Sequence, residues 1–201
     1  MKWSIGVLAV AALAALSALF LWGPEDTPKP ARMGPIVAFG DSLVYGTGSS
    51  GGGFVKLLEA RIGRPIVNMG VPGNTSADGL ARIESVLALK PSVVILLLGG
   101  NDYLRRLPRE ETEKNLAAII ERLRGDGAAV LLIGVRGGIF RDNFADMYEN
   151  LAKRHGTAYV HDVLDDTLGV DKYMDDQIHP NDAGYAIIAE RVYPVLAEML
   201  K

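Results

Sequence analysis

Short runs rich in β-branched and aliphatic residues alternate with helical patterns over the whole chain from residue 35 onward. Such alternation is typical of a parallel sheet that helices cover on both faces. We therefore predict an α/β fold, a three-layer α/β/α sandwich around a five-stranded parallel sheet. The predicted strands are 36–39, 65–69, 93–98, 129–135 and 157–160, and the predicted helices are 54–62, 76–89, 110–124, 143–155 and 182–200.

The N-terminal residues are predicted to lie outside this domain. Residues 5–22 form an apolar run of 18 residues that follows Lys2 and is interrupted only by Gly6 and Ser17. At 1.5 Å per residue, a helix of this length spans roughly 27 Å, about the thickness of a bilayer core. We expect residues 1–23 to form an N-terminal transmembrane anchor helix, residues 24–34 a stiff Pro-rich tether and residues 35–201 the globular domain.

A cleaved signal peptide is the alternative for the apolar run, since the run is short and rich in alanine. Cleavage after the small residues Ala15 and Ser17 would leave an apolar new terminus at residues 19–22, which favours the anchor. Lys2 favours an inner N-terminus. The globular domain is then expected on the extracytoplasmic side of the membrane, as a periplasmic or cell-surface protein, or secreted if the segment is cleaved.

The composition excludes several classes of protein. A net charge of −3 provides no basic surface field, so a nucleic acid partner is not expected. The chain contains no cysteine, which rules out disulfides, thiolate catalysis and cysteine-ligated zinc.

Three residues together predict nucleophilic catalysis. A serine hydroxyl is a poor nucleophile at neutral pH unless an imidazole takes its proton, and that imidazole needs a carboxylate to fix its tautomer. Ser42 lies in the turn Gly40-Asp41-Ser42-Leu43, and His179 follows Asp176 by three residues. This spacing lets the carboxylate reach one ring nitrogen and leaves the other for Ser42. We predict Ser42 as nucleophile, His179 as base and Asp176 as the residue that orients it.

Two further residues are candidate donors to an oxyanion. Ser42, Gly73 and Asn101 each follow one of the first three predicted strands, and ligand sites of open parallel sheets form at the carboxyl ends of strands. The backbone N–H of a glycine turn and an asparagine amide suit a developing negative charge. We expect the N–H groups of Ser42 and Gly73 and the Asn101 side chain to form an oxyanion hole, with the neighbouring Asp102 as a helix cap.

These motifs, taken in order, resemble the SGNH (GDSL) hydrolase family over the chain from about residue 36 to the C-terminus. The matching blocks are Gly40-Asp41-Ser42-Leu43, Gly73, Gly99-Gly100-Asn101-Asp102 and Asp176-Gln177-Ile178-His179-Pro180. Residues 99–108 also resemble the branch that contains bacterial thioesterases, lysophospholipases and arylesterases. Val44 departs from the family, many members of which carry Ser or Thr there, but no catalytic role depends on it.

The resemblance implies a flavodoxin-like fold and a serine esterase that hydrolyses carboxylic ester or thioester bonds through an acyl-enzyme, without a cofactor. A small-molecule or lipid ester is the expected substrate. A carbohydrate O-acetylesterase of the cell envelope is the alternative within the class. A non-catalytic envelope binding protein is the alternative outside it, although all four blocks are intact.

Other sequence features compete with this interpretation. His161 beside Asp162 could form a rival dyad, and Asp175 could replace Asp176, but the spacing to His179 favours Asp176. His155 ends a predicted helix and is expected to be solvated. No ligand set for a metal site is apparent, because the chain has no HxH or HExxH motif.

The string Gly46-Thr47-Gly48-Ser49-Ser50-Gly51 matches the GxGxxG pattern of dinucleotide-binding folds. That fingerprint must join a strand directly to a helix, and an acidic residue should end the next strand. Here the glycines start several residues late, and the second predicted strand is followed by no such residue. A mobile loop beside the nucleophile is the better interpretation.

Overall fold

The computed structural model describes residues 27–135 and 144–201. These residues form five strands, eight α-helices and one 3-10 turn at Asp171–Tyr173. The strands are β1 (Ile36–Gly40), β2 (Ile66–Gly70), β3 (Val93–Leu97), β4 (Ala129–Ile133) and β5 (Ala158–Val160). The helices are α1 (Ser42–Tyr45), α2 (Gly53–Ile62), α3 (Ser76–Ala81), α4 (Ile83–Leu87), α5 (Gly100–Leu104), α6 (Arg109–Gly125), α7 (Phe144–His155) and α8 (Asp182–Met199).

The strands form one parallel sheet in the order β2-β1-β3-β4-β5. Ile36 of β1 pairs with Ile66 of β2 on one side and with Val93 of β3 on the other. This is the flavodoxin-like order, in which the chain reverses its direction of travel across the sheet beside β1. The predicted α/β fold with a five-stranded parallel sheet is confirmed.

Each face of the sheet has its own apolar core. Ile36 and Ala38 pack with α1, α2 and α8, whereas Val37 and Phe39 pack with α4, α6 and α7. All five residues of β1, β3 and β4 are buried, which explains why these strands appear in the sequence as continuous apolar runs. The three layers hold the carboxyl ends of the strands in fixed register at one edge of the sheet.

The largest departure from the predicted elements is a helix break. We predicted one helix over residues 76–89, but the structure has α3 and α4 with Arg82 between them at φ −109° and ψ 14°. Gly79 weakens this stretch because glycine is a poor helix former. A Cβ at this position would nevertheless press against the buried side chain of Leu98, so a larger residue needs Leu98 to shift. The short helices α1 and α5, which directly follow β1 and β3, were not predicted.

The segment before β1 lies against the domain. Residues 27–35 form neither helix nor strand. Arg32 donates from Nε to the carbonyl oxygen of Pro91 at 3.1 Å, and the Ser92 hydroxyl donates to the carbonyl oxygen of Gly34 at 2.8 Å. The predicted anchor at residues 1–23 and the predicted first residue of α7, Asn143, lie outside the described residues. Within 27–135 and 144–201, no helix is both long and apolar enough to cross a membrane.

Candidate active site

Ser42 occupies the sharp turn from β1 into α1. Gly40 ends the strand, Asp41 caps the helix and Ser42 is its first residue. Asp41 is buried, and its Oδ1 accepts a hydrogen bond from the Leu43 backbone N–H at 3.0 Å. The sequence of a strand end, a capping aspartate and a serine therefore presents the hydroxyl at the carboxyl edge of the sheet.

His179 links Ser42 to Asp176. The ring nitrogen Nδ1 lies 2.7 Å from Asp176 Oδ2, and Nε2 lies 3.0 Å from Ser42 Oγ. An ionised carboxylate only accepts, so Nδ1 carries the hydrogen and Nε2 is free to accept from the serine hydroxyl. The structure thus brings together the three residues predicted as nucleophile, base and orienting carboxylate.

Asp176 is held by its own turn as well as by the imidazole. Its Oδ1 accepts from the backbone N–H groups of Ile178 and His179 at 2.8 and 2.7 Å. The hydrogen bond from the His179 ring, followed by these backbone donors, lowers the pKa of Asp176 to about 2. Asp176 is therefore a stable anion at neutral pH. Asp175 is exposed, and it contributes its backbone N–H, which donates to the His179 carbonyl oxygen at 2.9 Å.

The glycine-rich loop at 46–51 connects the serine turn to the histidine loop. The hydroxyls of Ser49 and Ser50 donate to the Asp182 carboxylate at the start of α8. Gly48 has φ +86°, and a Cβ there would lie 2.6 Å from the carbonyl oxygen of Pro180. A side chain at position 48 would separate the two loops. The glycines of the GxGxxG string therefore allow the contact between these two loops. The string does not follow β1 directly, because α1 lies between them.

Gly73 and Asn101 also lie at this edge of the sheet. Gly73 has φ +81°, a backbone conformation that favours glycine, and its carbonyl oxygen accepts from Arg105 Nη2 at 2.8 Å. Asn101 Nδ2 donates to the carbonyl oxygen of Asn74 at 3.0 Å and makes a long 3.4 Å contact with Asp41 Oδ2. The Asn101 amide thus connects the Gly73 loop to the serine turn.

The sequence predicts Asp102 as a helix cap, but in the structure it does not cap its own helix, α5. Gly99 occupies the cap position of α5, and the buried Asp102 carboxylate reaches the first turn of α3 instead. It accepts from the Ser76 backbone N–H at 2.8 Å, from the Ser76 hydroxyl and from the Thr112 hydroxyl at 3.1 Å. Asp102 therefore joins α3, α5 and α6 directly behind Asn101.

Asp41 brings a second carboxyl group close to the site. Burial raises the pKa of Asp41 from 3.8 to about 7, although the Leu43 N–H and the nearby His179 both act in the opposite direction. A buried carboxyl is costly to ionise when it has few donors. Its hydrogen bond to Leu43 identifies Asp41 as a residue that shapes the serine turn.

The competing residues occupy other surroundings. His161 is exposed and stands edge-on to Tyr159, while Asp162 accepts from the Leu164 backbone N–H at 3.1 Å. The prediction that His155 is solvated is wrong: its side chain is only 12% exposed, and burial lowers its pKa. Over residues 27–135 and 144–201, no three His, Cys, Asp or Glu side chains are grouped so that they could hold a metal ion.

Two residues of the site escaped prediction from the sequence, Arg82 and Asn74. Arg82 Nε donates to Asn74 Oδ1 at 2.7 Å, and its Nη2 donates to the carbonyl oxygen of Gly40 at 2.9 Å. The only available signal is a single arginine between apolar residues in Leu80-Ala81-Arg82-Ile83. Its acceptors are distant in sequence, so the pattern alone could not identify them.

A serine, an imidazole and a carboxylate aligned at the carboxyl edge of a parallel α/β/α sheet define the class of serine hydrolases. The chain belongs to the GDSL-like lipase/acylhydrolase family, whose model matches residues 38–187. It is accordingly a serine hydrolase that acts on ester bonds, and the predicted family and enzyme class are confirmed.

Known proteins resemble the chain over most of its length. It is 35% identical over 178 residues to esterase TesA of Pseudomonas aeruginosa, an alignment that covers 82% of this chain and 89% of the relative. It is 30% identical over 174 residues to thioesterase 1/protease 1/lysophospholipase L1 of Escherichia coli, with coverage of 82% and 84%. The crystal structure of TesA superposes with a TM-score of 0.76 at 34% identity, covering 83% of this chain and 99% of that one.

Proposed function

We propose that the enzyme hydrolyses carboxylic esters and thioesters of acyl groups through an acyl-enzyme on Ser42. The observation that carries this proposal is the hydrogen-bonded series from Ser42 Oγ through His179 to Asp176, with distances of 3.0 and 2.7 Å. Ser42 Oγ attacks the acyl carbon while its proton moves to His179 Nε2. The C–O or C–S bond then breaks, and the leaving group takes that proton. Water repeats the sequence on the acyl-enzyme and releases the carboxylic acid.

The oxyanion of each tetrahedral intermediate is stabilised by the backbone N–H groups of Ser42 and Gly73 and by Asn101 Nδ2. The Asn101 amide has two hydrogens, and the Asn74 carbonyl oxygen accepts one of them. The other makes only the long 3.4 Å contact with Asp41. Exchanging so weak a hydrogen bond for one to an oxyanion favours the transition state.

The substrate is proposed to carry a hydrophobic acyl chain. Exposed apolar side chains stand close in sequence to the catalytic residues, namely Tyr45 after Ser42, Val71 before Gly73 and Ile178 beside His179. Such side chains suit an acyl or aryl group better than a hydroxylated sugar. The names of the relatives, a thioesterase/lysophospholipase and an esterase, agree with this choice.

A chain-length series tests the proposal. Parent, Ser42→Ala and Asn150→Ala enzymes are assayed on p-nitrophenyl esters from acetyl to dodecanoyl, on matched acyl thioesters and on acetylated xylan. Asn150 is an exposed residue of α7 that serves as the control. We expect turnover of esters and thioesters with a preference for chains longer than acetyl, retained in Asn150→Ala and lost in Ser42→Ala. Turnover confined to acetylated xylan would contradict the substrate class, and undiminished turnover in Ser42→Ala would contradict the mechanism.

We also propose that residues 5–22 anchor the enzyme in a membrane with the domain on the extracytoplasmic side. The support is the 18-residue apolar length, which contains no charged residue, and the flanking Lys2. In this arrangement the anchor determines where the enzyme works, while all proposed catalytic residues lie in the domain.

A further inference from the structure

Arg82 connects the two loops that carry the proposed nucleophile and the proposed oxyanion donors. Its Nη2 donates to the carbonyl oxygen of Gly40 at 2.9 Å, and its Nε donates to Asn74 Oδ1 at 2.7 Å. Gly40 lies two residues before Ser42, and Asn74 directly follows Gly73. One planar guanidinium group therefore spans the gap between the end of β1 and the loop after β2.

The guanidinium is held firmly in this position. Its central carbon lies 4.3 Å from the centre of the Phe39 ring, which is fully buried at the end of β1. The Gly40 carbonyl oxygen also accepts from the Val71 backbone N–H at 3.0 Å, so two donors from the far side of the gap converge on one atom. Stacking on an aromatic face and forked donation are properties of arginine that lysine lacks.

Asn74 extends the connection to Asn101. The Asn74 side chain is fixed by Arg82, and its backbone carbonyl oxygen accepts from Asn101 Nδ2 at 3.0 Å. A shift of Asn74 would therefore move both the adjacent Gly73 N–H and the acceptor that orients the Asn101 amide. The proposed oxyanion donors Gly73 and Asn101 therefore both depend on a residue that Arg82 holds.

The break between α3 and α4 gives Arg82 this reach. Residue 82 lies between α3 and α4, and its backbone N–H donates to the carbonyl oxygen of Gly79, three residues earlier, which departs from the α-helical pattern. Both hydrogen-bond acceptors of the side chain are uncharged groups of the two catalytic loops.

We propose that Arg82 is a positioning residue for the oxyanion hole, which sets the distance between Ser42 and the donors Gly73 and Asn101 without touching the substrate. The proposal rests on the proposed function, since it assigns a task within that mechanism. Misplacement of catalytic groups by about 1 Å can cost about 10²-fold in rate. The loss is expected in kcat, because the donors act on charge that develops in the transition state.

The test compares kinetics and stability in a small set of variants. Arg82→Gln removes the guanidinium group that donates to both loops, and Arg82→Lys keeps the positive charge without that group. Asn74→Ala removes one of the two acceptors and leaves Arg82 in place. Arg122→Gln is the matched control, because Arg122 is a more exposed arginine of α6 that pairs with Glu84 of the neighbouring α4. Kcat, KM, the second-order rate of labelling by a phosphonate and the melting temperature are measured for each variant. Ser42→Ala is measured alongside them.

We expect Arg82→Gln to lower kcat by about 10- to 100-fold while KM changes less than about 3-fold. Phosphonate labelling should slow in parallel, because it also builds charge on the oxygen that faces the hole. Arg82→Lys should remain about 10-fold below the parent. The double variant Arg82→Gln with Asn74→Ala should lose less than the product of the single losses, since both residues act through the same loop.

Four results would overturn the proposal: parental kcat in a folded Arg82→Gln enzyme, parental kcat in Arg82→Lys, a loss confined to KM, or fully multiplicative single losses. If Arg82→Gln does not fold, Asn74→Ala decides, and parental kcat and labelling rate in that variant would overturn it. Activity retained by Ser42→Ala would instead refute the proposed function. The two failures are thereby distinguished.

Discussion

Asn101 donates its side-chain amide to the backbone carbonyl oxygen of Asn74 at 3.0 Å, so a residue of α5, the short helix after β3, is fixed by the loop that follows β2. We predict that Asn101→Ala lowers kcat by about 10²- to 10³-fold, as expected for the loss of one oxyanion donor, with little change in KM. Steady-state kinetics checks this, with Asn150→Ala on the exposed face of α7 as the control. Parental kcat in a folded Asn101→Ala enzyme would leave Asn101 with only a structural role.

The pair Asp175 and Asp176 offers a controlled test of the orienting carboxylate. Asp176→Asn would place an N–H donor against the Nδ1 hydrogen of His179 and favour the wrong tautomer, so we predict a loss of about 10²- to 10⁴-fold in kcat. Asp175→Asn should stay within about 3-fold of the parent, because the side chain of Asp175 is outside the series from Asp176 to Ser42. Equal losses in the two variants would contradict the assignment.

Asp41 predicts a specific dependence of stability on pH. Its pKa in the folded chain is raised to about 7 from 3.8, mainly by burial, so the folded state binds a proton that the unfolded state releases between these values. The stability contributed by this group is therefore present below about pH 4 and is lost as the pH rises toward 7, up to about 4 kcal/mol.

Urea unfolding of the parent and of Asp41→Asn at several pH values measures this contribution. As the pH rises from 4 to 7, the free energy of unfolding of the parent should decrease relative to that of the variant. The pKa values of Asp176 and Asp182 are lowered to about 2 in the folded chain, so their own contribution changes mainly below about pH 5. It is common to parent and variant and cancels in the difference. A difference that is constant with pH would show that Asp41 ionises normally in the folded protein.

Membrane attachment can be separated from catalysis by truncation. We predict that the full chain fractionates with membranes and keeps its N-terminal Met1 or Lys2 in intact-mass analysis. A chain that begins at Thr27 should be soluble and equally active, because it retains the contacts of Arg32 and Gly34 with the domain. A mature protein that begins near Ala18 would establish cleavage instead, and an inactive truncated chain would show that the segment supports the fold.

The sequence predicted the elements that follow from local patterns. The apolar runs located β1, β3 and β4, because parallel strands buried on both faces carry an unbroken apolar signal. At the sheet edge only Ile66 of β2 is buried, so the signal of that strand is weaker. Ser42, Asp176 and His179 could be selected because nucleophile chemistry restricts the residue types and a three-residue spacing restricts the carboxylate. The structure places His179 within hydrogen-bonding distance of both Ser42 and Asp176.

The parts that escaped prediction depend on contacts between distant segments. The Asp102 carboxylate accepts a hydrogen bond from Ser76, which is 26 positions away in the sequence. Arg82 donates a hydrogen bond to Gly40, which is 42 positions away. No local pattern encodes such partners, and the helix break at Arg82 is invisible to helical periodicity. His155 illustrates the same limit. Its position at the end of a helix predicts a solvated side chain, whereas in the structure the side chain is largely buried.

The most direct test of the account is to locate the covalent adduct. A fluorophosphonate or an alkylsulfonyl fluoride is reacted with the parent enzyme and with Ser42→Ala, and the modified peptide is mapped by mass spectrometry. We predict one adduct per chain, on Ser42, formed in step with the loss of esterase activity and absent from Ser42→Ala, whose turnover is lower by about 10³-fold or more. An adduct on another serine, or undiminished esterase activity in Ser42→Ala, would contradict the central claim that Ser42 forms the acyl-enzyme.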